Sequence, residues 1–324
     1  MELDFEKRIV DIEKQIAELS ASDRKSNDDY DTEMAELKLE LARAKKEAYS
    51  DLTPWQTVHI ARHPDRPLFQ DYAARMFEEF IELHGDRVFG DDRAMRGGFA
   101  EIGPHKVMLI GTEKGRNTEE KLTSNFGMAN PEGYRKALRL MKLAEKYSLP
   151  VVSLVDTPAA YPGMEAEQRG QAEAIARNLT EMAAIEIPIL VVITGEGGSG
   201  GALGIAAGDT TLMLSNAIYS VIPPEGCAAI LWRDSAKAPE AASALKLTAS
   251  SLLELSIIDE IIPDEMGGAP GVESVLPQET TGVASQAEIT LNPDVILAAN
   301  TTSPIAMPTG GVLAGTGTQA MGGG

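Results

Sequence analysis

The chain has 324 residues, of which 43% are hydrophobic, so it can bury a substantial core as one large domain or one domain with an appendage. Its 29 Lys and Arg residues against 49 Asp and Glu give a formal net charge of −20, which repels phosphate backbones and argues against nucleic-acid binding by bulk electrostatics. The single cysteine, Cys227, excludes an intramolecular disulfide and a zinc site of several cysteines, and the four histidines form no HExxH pattern. We therefore expect no metal in this chain.

The N-terminal region carries two helical patterns separated by the polar stretch SASDRKSNDDY. Apolar residues recur at steps of three and four, first at Phe5, Ile9, Ile12, Ile16 and Leu19 and then at Met34, Leu37, Leu41, Ala44 and Ala48. The pattern predicts an antiparallel helical hairpin over residues 1–50, which serves either as a dimer arm or as a hairpin packed on its own domain. The opening MELDFEKRIVDIEKQ resembles neither a signal nor a transit peptide, so we expect a cytoplasmic protein without membrane contact.

Residues 51–266 are predicted to form the main domain, because strand-like and helix-like segments alternate there. The apolar runs HKVMLIG, PVVSLVD and PILVVIT are separated by the helical segments PEGYRKALRLMKLAEKYS and QAEAIARNLTEMAAI. This order predicts an α/β fold with a parallel sheet and right-handed crossovers. In the second helix we expect one face to pack on the sheet, namely Ala172, Ile175, Ala176, Leu179 and Ala183.

Each predicted strand ends in a loop rich in Gly or Pro: GTEKGRN, DTPAAYPG and TGEGGSGG. Ligands on open parallel sheets bind where the carboxyl ends of the strands gather, so these loops are the candidate site. Beyond them, residues 267–324 are rich in Gly, Thr, Ala and Pro, and no basic residue follows Lys246. We predict that this tail is disordered.

The glycine stretch contains a GxGxxG pattern, formed by Gly195, Gly197 and Gly200. A dinucleotide-binding fingerprint also requires an acidic residue about 20 positions later, to hold the ribose. No carboxylate lies between Asp209 and Glu225. The pattern is therefore weak evidence for a dinucleotide.

The same stretch contains a GxSxG pattern centred on Ser199, which is typical of the nucleophile elbow of serine hydrolases. That fold requires a histidine later in the chain, but none follows His105. A phosphate-binding loop of the Walker type is excluded because no lysine lies among these glycines.

The remaining interpretation is that the adjacent glycines Gly200 and Gly201 act through their backbone N–H groups. They lead into the small-residue helix ALGIAAG, so their N–H groups could point from a helix N-terminus towards an anion. Such donors form an oxyanion hole that needs no titrating side chain. The alternative is that the glycines only allow a buried helix to pack closely.

The longer motifs resemble those of a known family. KGRNTEEK, NFGMANPEGYRKALRLMKLAEKY, DTPAAYPGMEAEQRGQAEAIARNL, GEGGSGGALGI and YSVIPPEGCAAILWRD are similar to segments of the α subunit of bacterial and plastid acetyl-coenzyme A carboxylase carboxyltransferase. The resemblance runs from the N-terminal hairpin to about residues 267–269. It implies a crotonase-like fold, a ββα spiral, with the N-terminal helical hairpin added to it.

The resemblance also implies a function. Enzymes of this family move the carboxyl group of carboxybiotin, held on the biotin carboxyl carrier protein, to acetyl-coenzyme A, and the malonyl-coenzyme A formed commits carbon to fatty acid synthesis. The α subunit works with a β subunit in an α2β2 heterotetramer, alongside biotin carboxylase. The active site lies between α and β, and the zinc ribbon belongs to β. Two alternatives remain: a non-catalytic scaffold of the same fold, and a crotonase-type hydratase, which is disfavoured because Glu196 is the only acid near the glycines.

Site residues are transferred from the family by motif. The amides of Gly200 and Gly201 are expected to hold the biotin-side anion, while glycines of β hold the thioester enolate, and the two assignments could be exchanged. The other expected substrate contacts are Ser199, Ala159, Tyr161, Gly163, Lys114 and Arg116. The alternative for Tyr161 is core packing, and the alternative for Lys114 and Arg116 is an ordinary ion pair.

Ala159 departs from the family pattern, which has glycine at this position of DTPGAYPG. If the position requires a positive φ, the added Cβ costs about 1 kcal/mol and shifts the loop. Cys227 is expected to be a small buried residue rather than a nucleophile.

Overall fold

The computed structural model describes residues 3–22 and 28–263. The predicted tail, residues 267–324, lies outside the described residues, and the domain limits 51–266 stay a prediction. At the N-terminus, α1 (Lys7–Ala21) and α2 (Asp28–Tyr49) form the predicted hairpin.

The hairpin is antiparallel, because residues early in α1 meet residues late in α2. Ile9, Ile12 and Ala44 form its buried seam. Arg8 pairs with Glu47 across the outside at 3.1 Å. The predicted helical hairpin is confirmed.

Within the described residues the main domain is built on one eight-stranded sheet. The strands are β1 (Phe80–Glu82), β2 (Met95–Ile102), β3 (His105–Thr112), β4 (Val151–Thr157), β5 (Ile189–Gly198), β6 (Thr210–Leu214), β7 (Ile218–Ser220) and β8 (Glu260–Ile262). Their order in the sheet is β1-β2-β3-β4-β5-β6-β8, with β7 paired to the end of β5. The pairs β1–β2 and β2–β3 are antiparallel, and all later pairs are parallel.

Helices connect and cover these strands, as the alternating pattern predicted. Every residue of β4 is buried, which explains why PVVSLVD reads as a continuous apolar run. The helices of the main domain are α3 (Pro54–Ala61), α4 (Phe69–Met76), α5 (Thr118–Thr123), α6 (Pro131–Lys146), α7 (Met164–Gln168), α8 (Gln171–Met182), α9 (Ser199–Ala206), α10 (Pro224–Trp232), α11 (Ala238–Leu245) and α12 (Ala249–Glu254).

Helix α3 begins at a capping box. The Thr53 side chain accepts the N–H of Gln56, and the Gln56 side chain accepts the N–H of Thr53. Pro54 occupies the first turn, where no N–H is needed. The cap fixes where α3 begins, and Arg62 follows directly after its last residue.

The predicted buried face of α8 is wrong. Ala172, Ala176 and Ala183 are exposed. The fully buried positions are instead Gln171, Ala174, Asn178 and Met182. The cause is that α8 packs chiefly on α6 and α9, and that Asn178 donates from Nδ2 to the carbonyl oxygens of Tyr134, at 2.9 Å, and Gly204, at 2.8 Å. A polar residue is thus buried where it satisfies two backbone acceptors.

Candidate active site

The carboxyl ends of β4 and β5 are joined through an irregularity in their pairing. Val155 pairs with Ile193 and Thr157 pairs with Gly197, so two steps along β4 correspond to four along β5. The side chain of Asp156 fills the gap, and its Oδ1 accepts the N–H of Glu196 at 2.8 Å. A Cβ on Gly195 would lie 2.3 Å from the same oxygen. A glycine is therefore required at position 195.

The turn from β5 into α9 is held by direct backbone contact with the loop that follows β4. A Cβ on Gly198 would lie 1.9 Å from the carbonyl oxygen of Pro158, and one on Gly201 would lie 2.3 Å from the carbonyl carbon of Ala159. Ser199, between these glycines, has φ of 51°. A non-glycine residue in this region is strained, and such strain persists only where the surroundings fix it.

Helix α9 begins with backbone N–H groups that have no hydrogen-bond partner among the described residues. Gly200 and Gly201 lie in the first turn, where N–H groups have no acceptor within the helix. No side chain caps the helix, because Gly198 occupies the N-cap. Neither N–H makes a turn, loop or capping hydrogen bond within the described part of the chain. The arrangement offers two donors, and the helix dipole favours an anion beside them.

The two glycines differ in their surroundings. Gly201 is buried against the backbone of Ala159 and Ala160. Gly200 is half-buried, and a Cβ there would meet nothing closer than the Cδ1 atom of Ile175 at 3.8 Å. Gly201 is thus required by packing, whereas Gly200 has room for a methyl group.

Tyr134 of α6 makes a hydrogen bond to the first turn of α9. Its hydroxyl donates to the carbonyl oxygen of Gly201 at 3.2 Å, and its side chain is fully buried. Burial raises the pKa of this hydroxyl far above its ordinary value, so it is a neutral donor. Sequence reasoning missed Tyr134, since a tyrosine in an amphipathic helix gives no sign of what its hydroxyl contacts.

A cluster of charged side chains lies beside the turn, and we refer to Arg62, Lys114, Asp156, Glu196 and Glu225 as the charged cluster. Lys114 Nζ is 2.7 Å from Asp156 Oδ1 and 3.0 Å from Glu196 Oε2. Arg62 donates from Nε to Glu196 Oε1 at 2.6 Å and from Nη1 to Glu225 Oε1 at 2.6 Å. The Glu196 side chain is only 9% exposed. Each inner carboxylate therefore has a cation within hydrogen-bond distance.

The pKa shifts agree with this pairing. Burial by itself raises the pKa of the Glu196 carboxyl, but Lys114 and Arg62 outweigh burial and leave it below its ordinary value. Burial lowers the pKa of the Lys114 ammonium, but Asp156 and Glu196 outweigh it and leave the pKa raised. Glu196 and Lys114 are therefore both charged near neutral pH, and Glu196 is not poised to act as a general base.

The other predicted residues are placed as follows. Arg116 is exposed and pairs with Asp71. The ring of Tyr161 lies over Gly163, where a Cβ would come 2.4 Å from Cε1. Ala159 is not among the described residues with positive φ, so the strain considered for this position does not arise. Substrate contacts by these residues stay a prediction.

Cys227 is buried beside Ala228 and Ala241, as expected. In residues 3–22 and 28–263, His, Cys, Asp and Glu side chains form no group of three that could hold a metal ion. No helix among the same residues is long and apolar enough to cross a bilayer.

Comparison with known proteins assigns the family. A family model described as acetyl co-enzyme A carboxylase carboxyltransferase-like matches residues 2–286, which include the charged cluster and the turn into α9. The chain belongs to this carboxyltransferase family. The family predicted from the motifs, and with it the predicted class of enzyme, is confirmed.

Several curated relatives of this carboxyltransferase are named acetyl-coenzyme A carboxylase carboxyl transferase subunit alpha. The protein from Geobacter metallireducens is 56% identical over 268 residues, which cover 83% of this chain and 84% of the relative. The one from Nitrosomonas europaea is 54% identical, with 82% and 83% covered. The one from Thermus thermophilus is 52% identical, with 83% and 85% covered.

Solved structures confirm the predicted fold class of this carboxyltransferase. Transcarboxylase 12S superposes with a TM-score of 0.52 at 19% identity, over 60% of this chain and 38% of that one. The β subunit of geranyl-CoA carboxylase from P. aeruginosa gives 0.51 at 18% identity, over 65% and 42%. The chain thus spans less than half the length of these solved chains, and at such identities the likeness concerns the fold alone.

Proposed function

We propose that this chain is the α subunit of an acetyl-coenzyme A carboxyltransferase, which transfers the carboxyl group of carboxybiotin to acetyl-coenzyme A and forms malonyl-coenzyme A. The observation that carries the proposal is the family match over residues 2–286, supported by relatives 52% to 56% identical that bear this name. The unpartnered donors of α9 lie inside the matched range. Such donors act without a nucleophilic side chain or a metal ion.

In this proposal the N–H groups of Gly200 and Gly201 stabilise a negative oxygen that forms during transfer. Each such donor is typically worth about 3 kcal/mol of barrier, because it is fixed before the reaction begins. The contacts of Gly198 with Pro158 and of Gly201 with Ala159 fix the donors in this way. The α9 dipole adds to the effect.

Carboxybiotin, when bound, supplies the activated carboxyl group. The residues around the turn suit a neutral ureido ring with a polar oxygen, since the first turn of α9 carries backbone N–H donors and no capping side chain. In the proposal, Ser199, Ala159, Tyr161 and Gly163 contact this ring. Glu196 is held by Arg62 and Lys114, so the proposal assigns no proton transfer to it. Because these ion pairs keep Glu196 from acting as an acid or base, they also disfavour a hydratase.

The finer partners belong to the same proposal. A β subunit, in an α2β2 assembly, provides the second set of donors for the thioester oxygen and the zinc ribbon. The biotin carboxyl carrier protein brings the carboxybiotin, which biotin carboxylase makes. We place the assembly in the cytoplasm, where coenzyme A thioesters are made and used.

The test follows the reverse reaction. The chain, assembled with its β subunit, is mixed with free biotin and malonyl-coenzyme A, and acetyl-coenzyme A formation is measured. Wild-type turnover that falls at least about 100-fold in Gly201→Val supports the proposal, because that change displaces the donors. No turnover by a well-assembled wild-type complex would instead favour a non-catalytic scaffold.

A further inference from the structure

Four members of the charged cluster come from segments that are distant in the chain. Arg62 follows α3, Lys114 follows β3, and the carboxylates of Asp156 and Glu196 stand at the ends of β4 and β5. Lys114 bridges the two strand ends, and Asp156 also binds the backbone N–H of Glu196. The cluster therefore sets the path of the backbone immediately before Gly198.

The charge balance of the cluster depends on both cations. Two cations face three carboxylates, of which Asp156 and Glu196 have side chains only 7% and 9% exposed, while that of Glu225 is 41% exposed. Removal of one cation leaves a buried carboxylate short of its partner, and such a carboxylate either repels its neighbour or takes up a proton. The excess negative charge would lie four residues before Gly200, beside donors that are proposed to hold an anion.

We propose that Lys114 and Arg62 are positioning residues for the oxyanion donors: they neutralise Asp156 and Glu196 and so keep the turn at Gly198 to Gly201 in place and free of negative field. Lys114 then acts through these carboxylates and does not contact substrate. Its side chain is 18% exposed and already has two carboxylate partners, which favours this role over a contact with a coenzyme A phosphate. For its kinetic test the inference rests on the proposed function.

The inference predicts that the sign of the charge matters. In the complex with the β subunit, Lys114→Met is expected to lower kcat of the reverse reaction by about 10- to 100-fold, with KM for malonyl-coenzyme A and biotin within about twofold. Glu196→Gln removes a negative charge and keeps an oxygen acceptor, so kcat is expected within about threefold of wild type. A purely structural role would make both changes similarly harmful.

The double variant K114M/D156N is the decisive case. It removes Lys114 together with the buried carboxylate that Lys114 neutralises, it keeps an oxygen acceptor for the N–H of Glu196, and it leaves Glu196 paired with Arg62. Its kcat is therefore expected to return to within about threefold of that of Asp156→Asn alone. Additive losses in the double variant would overturn the inference. So would a KM for malonyl-coenzyme A that rises in Lys114→Met with kcat unchanged, since that result indicates a direct substrate contact.

A matched control is provided by Lys142, whose ion pair with Glu181 lies on the surface, with side chains 48% and 36% exposed. Lys142→Met removes the same charge without a buried partner and is expected to leave kcat and KM within about twofold of wild type. An equal loss of kcat in this variant would show that net charge, not the cluster, is responsible.

Hydrogen exchange separates this inference from the proposed function and does not require activity. In Lys114→Met, amide exchange is expected to rise by at least about tenfold in residues 156–163 and 195–201 and to stay unchanged in α6, while K114M/D156N restores protection. Unchanged exchange in all segments would overturn the inference even if the complex is active. A wild-type complex without turnover would refute the proposed function, and the exchange result would still decide the positioning role.

Discussion

The turn at Gly195 to Gly201 and the N-terminal hairpin are stabilised in opposite ways. In the turn, backbone contacts backbone: a Cβ at Gly198 or Gly201 would lie 1.9 or 2.3 Å from a neighbouring main-chain atom. The hairpin is held by a narrow apolar seam around Ile9 and Ile12 and by exposed pairs such as Arg8 with Glu47, whose side chains are 59% and 76% exposed.

The difference teaches where this protein tolerates change. Main-chain atoms in close contact cannot give way, so a single methyl group at Gly198 or Gly201 has to move a loop. When an apolar side chain in the hairpin seam is truncated, the free energy of unfolding falls in proportion to the volume removed, and the helices keep their geometry. Four substitutions test this contrast.

The largest effect is expected for Gly201→Ala. Its Cβ overlaps the backbone of Ala159 and Ala160, so the loop after β4 must shift and the donors with it. We expect carboxyl transfer by the complex to fall at least about 100-fold. Gly200→Ala is the comparison variant, and a smaller loss is expected because its methyl group meets no protein atom closer than 3.8 Å and its N–H is retained. Equal losses in both variants would contradict the distinction between the two glycines.

Ile9→Ala tests the hairpin. Ile9 is fully buried in the seam, so its truncation should lower the free energy of unfolding of the hairpin by about 2–5 kcal/mol. Hydrogen exchange in α1 and α2 measures the loss. Carboxyl transfer is expected within about twofold of wild type. A change in the oligomeric state, seen by size-exclusion chromatography, would show instead that the hairpin is a dimer arm.

Tyr134→Phe is expected to have a smaller effect on the turn. It removes the hydrogen bond to the carbonyl oxygen of Gly201 and keeps the ring that packs on Gly204. The free energy of unfolding should fall by about 1 kcal/mol, as measured by urea denaturation. We expect kcat to fall severalfold with KM unchanged, and a KM effect alone would argue against a role in holding the donors.

The smallest effect is expected for Arg8→Gln in the hairpin. Its partners Glu40 and Glu47 are at least half exposed, so solvent screens the interaction. The free energy of unfolding should change by less than about 0.5 kcal/mol and the melting temperature by no more than its error. A loss comparable to that of Ile9→Ala would mean that exposed pairs, not the seam, hold the hairpin.

Much of the fold could be predicted because each strand and helix has its own pattern of apolar residues within a short segment of the sequence. The runs HKVMLIG, PVVSLVD and PILVVIT become β3, β4 and β5, and the small-residue segment after the glycines becomes α9. The recurrence of apolar residues three and four positions apart predicted the helices of the hairpin. The buried face of α8 could not be found this way, since hydropathy ranks Asn178 as a surface residue while its amide is needed by two carbonyl oxygens.

The candidate site was predicted only in its backbone. Glycines and the strand-to-helix order indicate the donors of α9, but the charged cluster assembles residues far apart: Arg62 and Glu196 are separated by 134 positions, and Lys114 and Glu196 by 82. Charged residues at such distances have no common pattern in the sequence. Only the topology of the sheet brings them to one edge.

The carboxylate of Asp156 occupies the volume that a side chain at Gly195 would need. Anyone who redesigns this enzyme must therefore treat the two positions as one unit, since a larger residue at 195 is admissible only if 156 is shortened. Shortening 156 in turn takes away the acceptor of the Glu196 amide. A new variant library should sample both codons together with a substitute acceptor, since a library that varies codon 195 alone places every side chain against the Asp156 carboxylate.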